Sequence, residues 1–342
     1  MKRVRDARSV KRREMAYRSP VLKRSPLVPI LAGLAVIAAA CSSSDAPVVT
    51  VDGVEIGEDR FEELHVDADR LNEDERAGSA LLLVLREAFT RRARDDFGIV
   101  PEPDLIDAAF VENSQRYPAG QNVDLSLATA NVRRDRVLIE SELDVLRDLI
   151  GEELVRSEAA GFDIDEAHRA YLIDNAEVCV QQITLVAADS YDQVVAELEA
   201  GGDFGDVALT WSSDPFVDRD DGGSGAGGDL GCSAPSALPT GLDVASLEAP
   251  VGEPYGPVRT DVGFHLLWVY ERTSADLADV RVAVIDHAVP RQGPELFRRW
   301  AVEVLRDIVV VVDEEYGSWG VLPETVDVPT VVPVSRVSQI VG

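Results

Sequence analysis

The chain has 342 residues, with 62 Asp plus Glu against 33 Lys plus Arg, four His, three Cys and an apolar content of 46%. That apolar share predicts a folded chain rather than a disordered one. Ten of the basic residues crowd into the first 24 positions; from residue 41 onward there are 23 Arg, no Lys and 60 acids, a net charge of −37 that argues against nucleic acid and against a polybasic membrane-binding surface.

The N-terminus reads as a targeting segment. After the basic run, residues 27–40 are apolar and uncharged. That run falls short of the roughly 20 residues a mature membrane-spanning helix needs, and suits the apolar region of a signal peptide. Ala38-Ala39-Ala40-Cys41 resembles a lipobox, with Ala38 where Leu is usual. Residues 1–40 are therefore expected to be a lipoprotein signal peptide, Cys41 the lipidated mature N-terminus, and residues 41–47 a tether. An uncleaved anchor helix is the alternative, and Met15 is an alternative start. The expected location is the extracytoplasmic face of a cell membrane, held by lipid. Cys179 and Cys232 then remain as an even pair, expected to form a disulfide in an oxidising compartment; two unpaired thiols are the alternative.

Residues 48–56 predict two short β segments around the Asp52-Gly53 turn. Helices are expected over 60–71 and 73–97, the second with Leu81, Leu82, Val84, Leu85, Ala88 and Phe89 at helical spacing. Further helices are expected over 105–115, over 124–160 with Gly151 as a candidate break, and over 163–176. Composition then changes. A strand is expected over 178–186, helices over 191–200 and 204–210, a Gly- and Asp-rich loop over 214–228, and a strand pair over 257–260 and 263–270. A helix over 295–307 and a β-like run over 308–312 follow. Residues 321–342, with Pro323, Pro329 and Pro333, read as an irregular tail.

Two motifs stand out: Gly227-Gly228-Asp229-Leu230-Gly231, and Gly256-Pro257-Val258-Arg259-Thr260-Asp261-Val262-Gly263-Phe264-His265. Ser212-Ser213-Asp214, and Gly201-Gly202-Asp203-Phe204 at the end of a helix, precede them at compatible spacing. In this order they resemble a parvulin-type (PpiC) peptidyl-prolyl isomerase domain. The resemblance implies that His265, Asp214 and Gln182 form the catalytic centre. It implies that Leu238, Leu242, Thr260, Leu230 and Phe264 form the substrate-binding set. Gln182 stands where the family carries a first His, so the paired-imidazole network is expected to be broken there. Leu238 and Leu242 stand where a Met and a Phe usually line the proline pocket.

The flanking organisation resembles SurA- and PrsA-like chaperones. The expected fold class is α+β: a parvulin-like domain, a small antiparallel sheet with helices, inserted in a mainly helical chaperone domain. Residues 48–174 are expected to form that chaperone domain, 175–273 the parvulin-like domain, and 274–320 a segment returning to the first. The resemblance implies a foldase that binds unfolded or newly exported polypeptides and isomerises X–Pro bonds without a cofactor. A non-catalytic holdase with a degenerate domain is the alternative.

Other signals are set aside. Residues 223–228 fit a Gly-x-Gly-x-x-Gly pattern, but Asp218, Asp220 and Asp221 precede it and would repel phosphate. Those acids lack the order of an EF-hand. His65, His168 and His287 lack metal-ligand spacing.

Overall fold

The computed structural model describes residues 47–117, 127–128, 130–186, 190–214, 226–325 and 328–340. Cys41 and the expected signal peptide lie outside them, as does most of the Gly- and Asp-rich loop.

The first elements are β1 (Val49–Val51), β2 (Val54–Ile56), α1 (Glu58–Glu62), α2 (Glu73–Phe97), α3 (Pro103–Ser114), α4 (Arg134–Arg156) and α5 (Ile164–Asn175). Then come β3 (Glu177–Leu185), α6 (Tyr191–Glu199), α7 (Phe204–Trp211), β4 (Asp229–Ser233), α8 (Leu242–Glu248), β5 (Pro254–Thr260) and β6 (Gly263–Thr273). The chain closes with α9 (Leu277–Asp307), β7 (Val310–Val312), β8 (Ser318–Val321) and β9 (Pro329–Val332).

Local chemistry explains the sharpest boundaries. The Asn72 side chain accepts from Glu75 N–H at 3.0 Å while the Glu75 carboxylate accepts from Asn72 N–H at 2.9 Å. This reciprocal cap satisfies two of the donors left open at the start of α2. The expected helix over 60–71 is shorter than its sequence pattern suggests. It ends as α1, and His65 bridges to Val132 before a short 3-10 turn at Ala68–Arg70.

One core joins the two ends of the described chain. Val49 and Val51 of β1, Leu83 and Val84 of α2, Leu146 and Ile150 of α4, and Leu296 and Val304 of α9 are buried together. Each such side chain contributes about 1.5–3 kcal/mol when taken out of water. β7 lies on β1 opposite β2, giving the order β2-β1-β7.

Two expectations are corrected here. α9 is 31 residues long, not confined to 295–307, and runs through Pro290 and Pro294. Each proline removes a backbone donor, but Ala288, Gly293, Leu296 and Trp300 are buried along the helix, and this packing holds it together. The described residues from 321 to 340 are not an irregular tail either. β8 and β9 pair antiparallel, and Val331 enters the main core. Pro329 sits at the first position of its strand and Pro333 just after it, where a missing N–H is tolerated.

The second sheet is antiparallel, in the order β4-β3-β6-β5. Ile183, Leu185, Phe204, Val207 and Leu266 pack on one face, and Val178, Val180, Leu242, Leu267 and Val269 on the other. The Arg272 guanidinium bonds the carbonyls of Ser246, Leu247 and Ala249 at 3.1, 2.7 and 2.8 Å, closing the C-terminal end of α8 over the second face. Cys179 and Cys232 stand directly opposite on β3 and β4 and are disulfide-bonded. The chain is thus mixed α+β, with a small antiparallel sheet set between helical segments. No helix among the described residues is long and apolar enough to cross a membrane.

Candidate functional site

Side chains two apart on a strand share a face. On β3, Gln182 and Thr184 therefore continue the face begun by Val178 and Val180. On β6, His265 shares its face with Leu267 and Val269. Thr184 lies opposite His265 in the register, and Gln182 lies opposite Leu267. The result is a polar group at the end of an otherwise apolar face.

That group is nearly closed to solvent: His265 is 3% exposed and Gln182 7%. His265 Nδ1 stands 3.3 Å from Gln182 Oε1 and 3.3 Å from Thr184 Oγ1. His265 Nε2 stands 2.8 Å from Thr260 Oγ1. Gln182 Nε2 donates to Asp214 Oδ2 at 3.0 Å. Burial pushes the His265 imidazole below its ordinary pKa, while Asp214 and Asp261 pull the other way.

The Ser-Ser-Asp segment after α7 is held against the end of β3. Ser213 N–H and its hydroxyl both donate to Thr184 O, at 2.8 and 2.9 Å, and Thr184 N–H donates to Ser212 Oγ at 3.1 Å. This pairing delivers Asp214 to Gln182. The Gly-Gly-Asp-Leu-Gly motif runs along the same edge of β3, the one away from β6. A Cβ on Gly228 would stand 2.1 Å from the Gln182 carbonyl oxygen, so only glycine admits this approach. Asp229 Oδ1 then accepts from Gly231 N–H at 2.9 Å and from the Tyr270 hydroxyl at 3.2 Å.

The structure brings Gln182, Asp214, Thr260 and His265 together. Gln182 supplies no second imidazole, but its amide bonds both His265 and Asp214. Leu238 is partly buried against the apolar cluster on the same face. Leu242 is 0% exposed and lies inside that cluster. Phe264 points to the opposite face and packs with Ile183 and Phe204; β-strand alternation separates it from His265. Leu230 is a half-buried residue of β4. Thr184 was missed by motif reading, although its place two residues after Gln182 on one strand was the available signal.

A buried imidazole at the end of an apolar sheet face, with a carboxylate brought in by a Ser-x-Asp turn, defines a parvulin-type peptidyl-prolyl isomerase domain. Residues 163–273 match the family described as the PPIC-type PPIASE domain, a span that adds α5 to the sheet and its helices. The chain is 30% identical over 198 residues to the foldase protein PrsA of Geobacillus kaustophilus, covering 55% of this chain and 68% of that one. It is 27% identical over 316 residues to the foldase protein PrsA of Halalkalibacterium halodurans, covering 86% and 87%. It is also 29% identical over 145 residues to the chaperone SurA of Yersinia pestis bv. Antiqua, covering 42% and 30%. On this similarity the chain belongs to the PrsA foldase family.

Proposed function

We propose that the protein is a lipid-anchored, extracytoplasmic foldase that binds unfolded exported polypeptides and catalyses cis/trans isomerisation of their X–Pro bonds at the His265 site. The observation that carries this reading is the continuous hydrogen-bonded row Asp214–Gln182–His265–Thr260 at the edge of an apolar sheet face. Rotating a peptide bond meets a barrier of about 18–20 kcal/mol and requires no nucleophile. The twisted amide is less polar than the planar one. An apolar surface beside Leu238 favours it, while fixed polar groups orient its carbonyl and the following N–H. His265, Asp214 and Gln182 are assigned to the catalytic centre. Thr260, Leu230 and Leu238 are assigned to its rim.

In this reading, residues 48–174 and 274–320 form the client-binding domain and residues 175–273 the isomerase domain. The shared core of β1, α2, α4 and α9 supports the first assignment. The anchor is Cys41 with the tether through residue 47. The Cys179–Cys232 bond suits an oxidising compartment and supports the extracytoplasmic placement.

The deep burial of His265 and the amide at position 182 favour a second reading, a holdase that binds clients without turning them over. Line-shape NMR of an Ala-Pro peptide, with and without the full chain, separates the two. The isomerase reading expects exchange accelerated by the wild type and lost in His265→Ala. Equal exchange with both proteins, together with suppressed aggregation of an unfolded client, would establish the holdase.

A further inference from the structure

The hydrogen bonds around Gln182 admit only one polarity. A carboxylate oxygen accepts and never donates, so the amide nitrogen of Gln182 must face Asp214 Oδ2, 3.0 Å away. The amide oxygen is thereby turned to His265 Nδ1 at 3.3 Å. It too only accepts, so Nδ1 carries the proton. A neutral imidazole protonated at Nδ1 has its lone pair on Nε2, where the Thr260 hydroxyl stands at 2.8 Å and donates. Thr260 Oγ1 in turn accepts Val262 N–H at 3.3 Å. Thr184 Oγ1, also 3.3 Å from Nδ1, offers a second acceptor for the same proton. Every bond in the row agrees with the direction set at Asp214.

We propose that Gln182 is a positioning residue: it transmits the polarity of the Asp214 carboxylate to His265 and fixes that ring as the neutral Nδ1–H tautomer. An imidazole at position 182 would itself exchange tautomers and gain a proton near neutral pH. An amide does neither, so the amide gives this site a row of fixed direction. The charged groups acting on His265 are Asp214, from the segment after α7, and Asp261, from the β5–β6 turn. β3 and β5 present the uncharged Gln182, Thr184 and Thr260. The inference rests on the reading that isomerisation occurs at this site, and it adds that the ring enters that reaction with its proton on Nδ1.

The test uses the full chain labelled with ¹⁵N at histidine, with His265→Ala assigning the ring signals. The wild type is expected to show a protonated Nδ1 and a bare Nε2 on His265 at about pH 8, where a neutral ring is expected. Gln182→Leu, which keeps bulk but removes the bridge, should mix the two tautomers and lower kcat/KM about tenfold through loss of ring orientation. Gln182→His should add a pH dependence of kcat/KM, with a midpoint of about 6 to 7, that the wild type lacks at position 182. An Nε2–H ring in the wild type would overturn the proposal, as would a Gln182→Leu protein with unchanged ring signals. The ring nitrogens are read without turnover. Absence of isomerase activity therefore counts against the proposed function, while the tautomer is decided separately.

Discussion

Gly151 of α4 and Gly293 of α9 meet backbone to backbone: a Cβ on Gly151 would lie 2.8 Å from the Gly293 carbonyl oxygen. The glycine that reads as a helix break is thus a point of close backbone approach between two long helices, and α4 continues past it to Arg156.

Gly151→Ala should lower stability by about 1–3 kcal/mol through overpacking. Gly78→Ala is the control. It lies in α2 with nothing within 4 Å of the added methyl, and should raise stability by about 0.5–1 kcal/mol. Urea midpoints of the two variants check this. An equal gain in both would mean that the helices are not in backbone contact.

The Cys179–Cys232 bond spans 53 residues of sequence and ties the edge strand β4 to β3. On the chain-entropy model a loop of this length contributes about 4 kcal/mol, less any strain in the folded state. Peptide mapping without reductant should find the two cysteines joined. Added dithiothreitol should lower the melting temperature of the wild type and leave a Cys179→Ala/Cys232→Ala protein unchanged.

Acid should weaken the fold before the carboxylates titrate. Burial holds the pKa of His265 below 6.5 against Asp214 and Asp261, and that of His65 below 6.5 with the help of Arg136. For such a group the unfolded chain takes up a proton more readily than the folded one. Its stabilising effect is therefore complete above 6.5 and is lost as the pH falls from there through the folded-state value. Denaturant midpoints at about pH 7.5 and about pH 5.5 should differ in the wild type and converge in a His65→Gln/His265→Gln protein.

Cys41→Ala should accumulate as a precursor that takes up no labelled fatty acid, because lipidation needs the thiol that follows the small residues at 38–40. Normal processing and labelling of that variant would remove the anchor from the proposal.

The sequence by itself determined the elements whose signals are local. The apolar stripe of α2 marked a helix over 73–97, the span it has in the structure, without reference to any distant residue. The motifs at 212–214, 227–231 and 256–265 marked residues that the fold brings together, because the constraints on them are mostly short-range turns and close approaches. Tertiary structure decided the rest. Whether Pro290 and Pro294 end a helix depends on what α9 packs against, and the α4 face that holds it lies more than a hundred residues upstream. Whether residues after Leu322 form a strand depends on a core that Val331 enters only once the chain has folded back. The part played by Gln182 was hidden for the same reason. As a residue type it reads as the loss of an imidazole; only the placement of Asp214 on one side and His265 on the other turns its amide into a directed bridge.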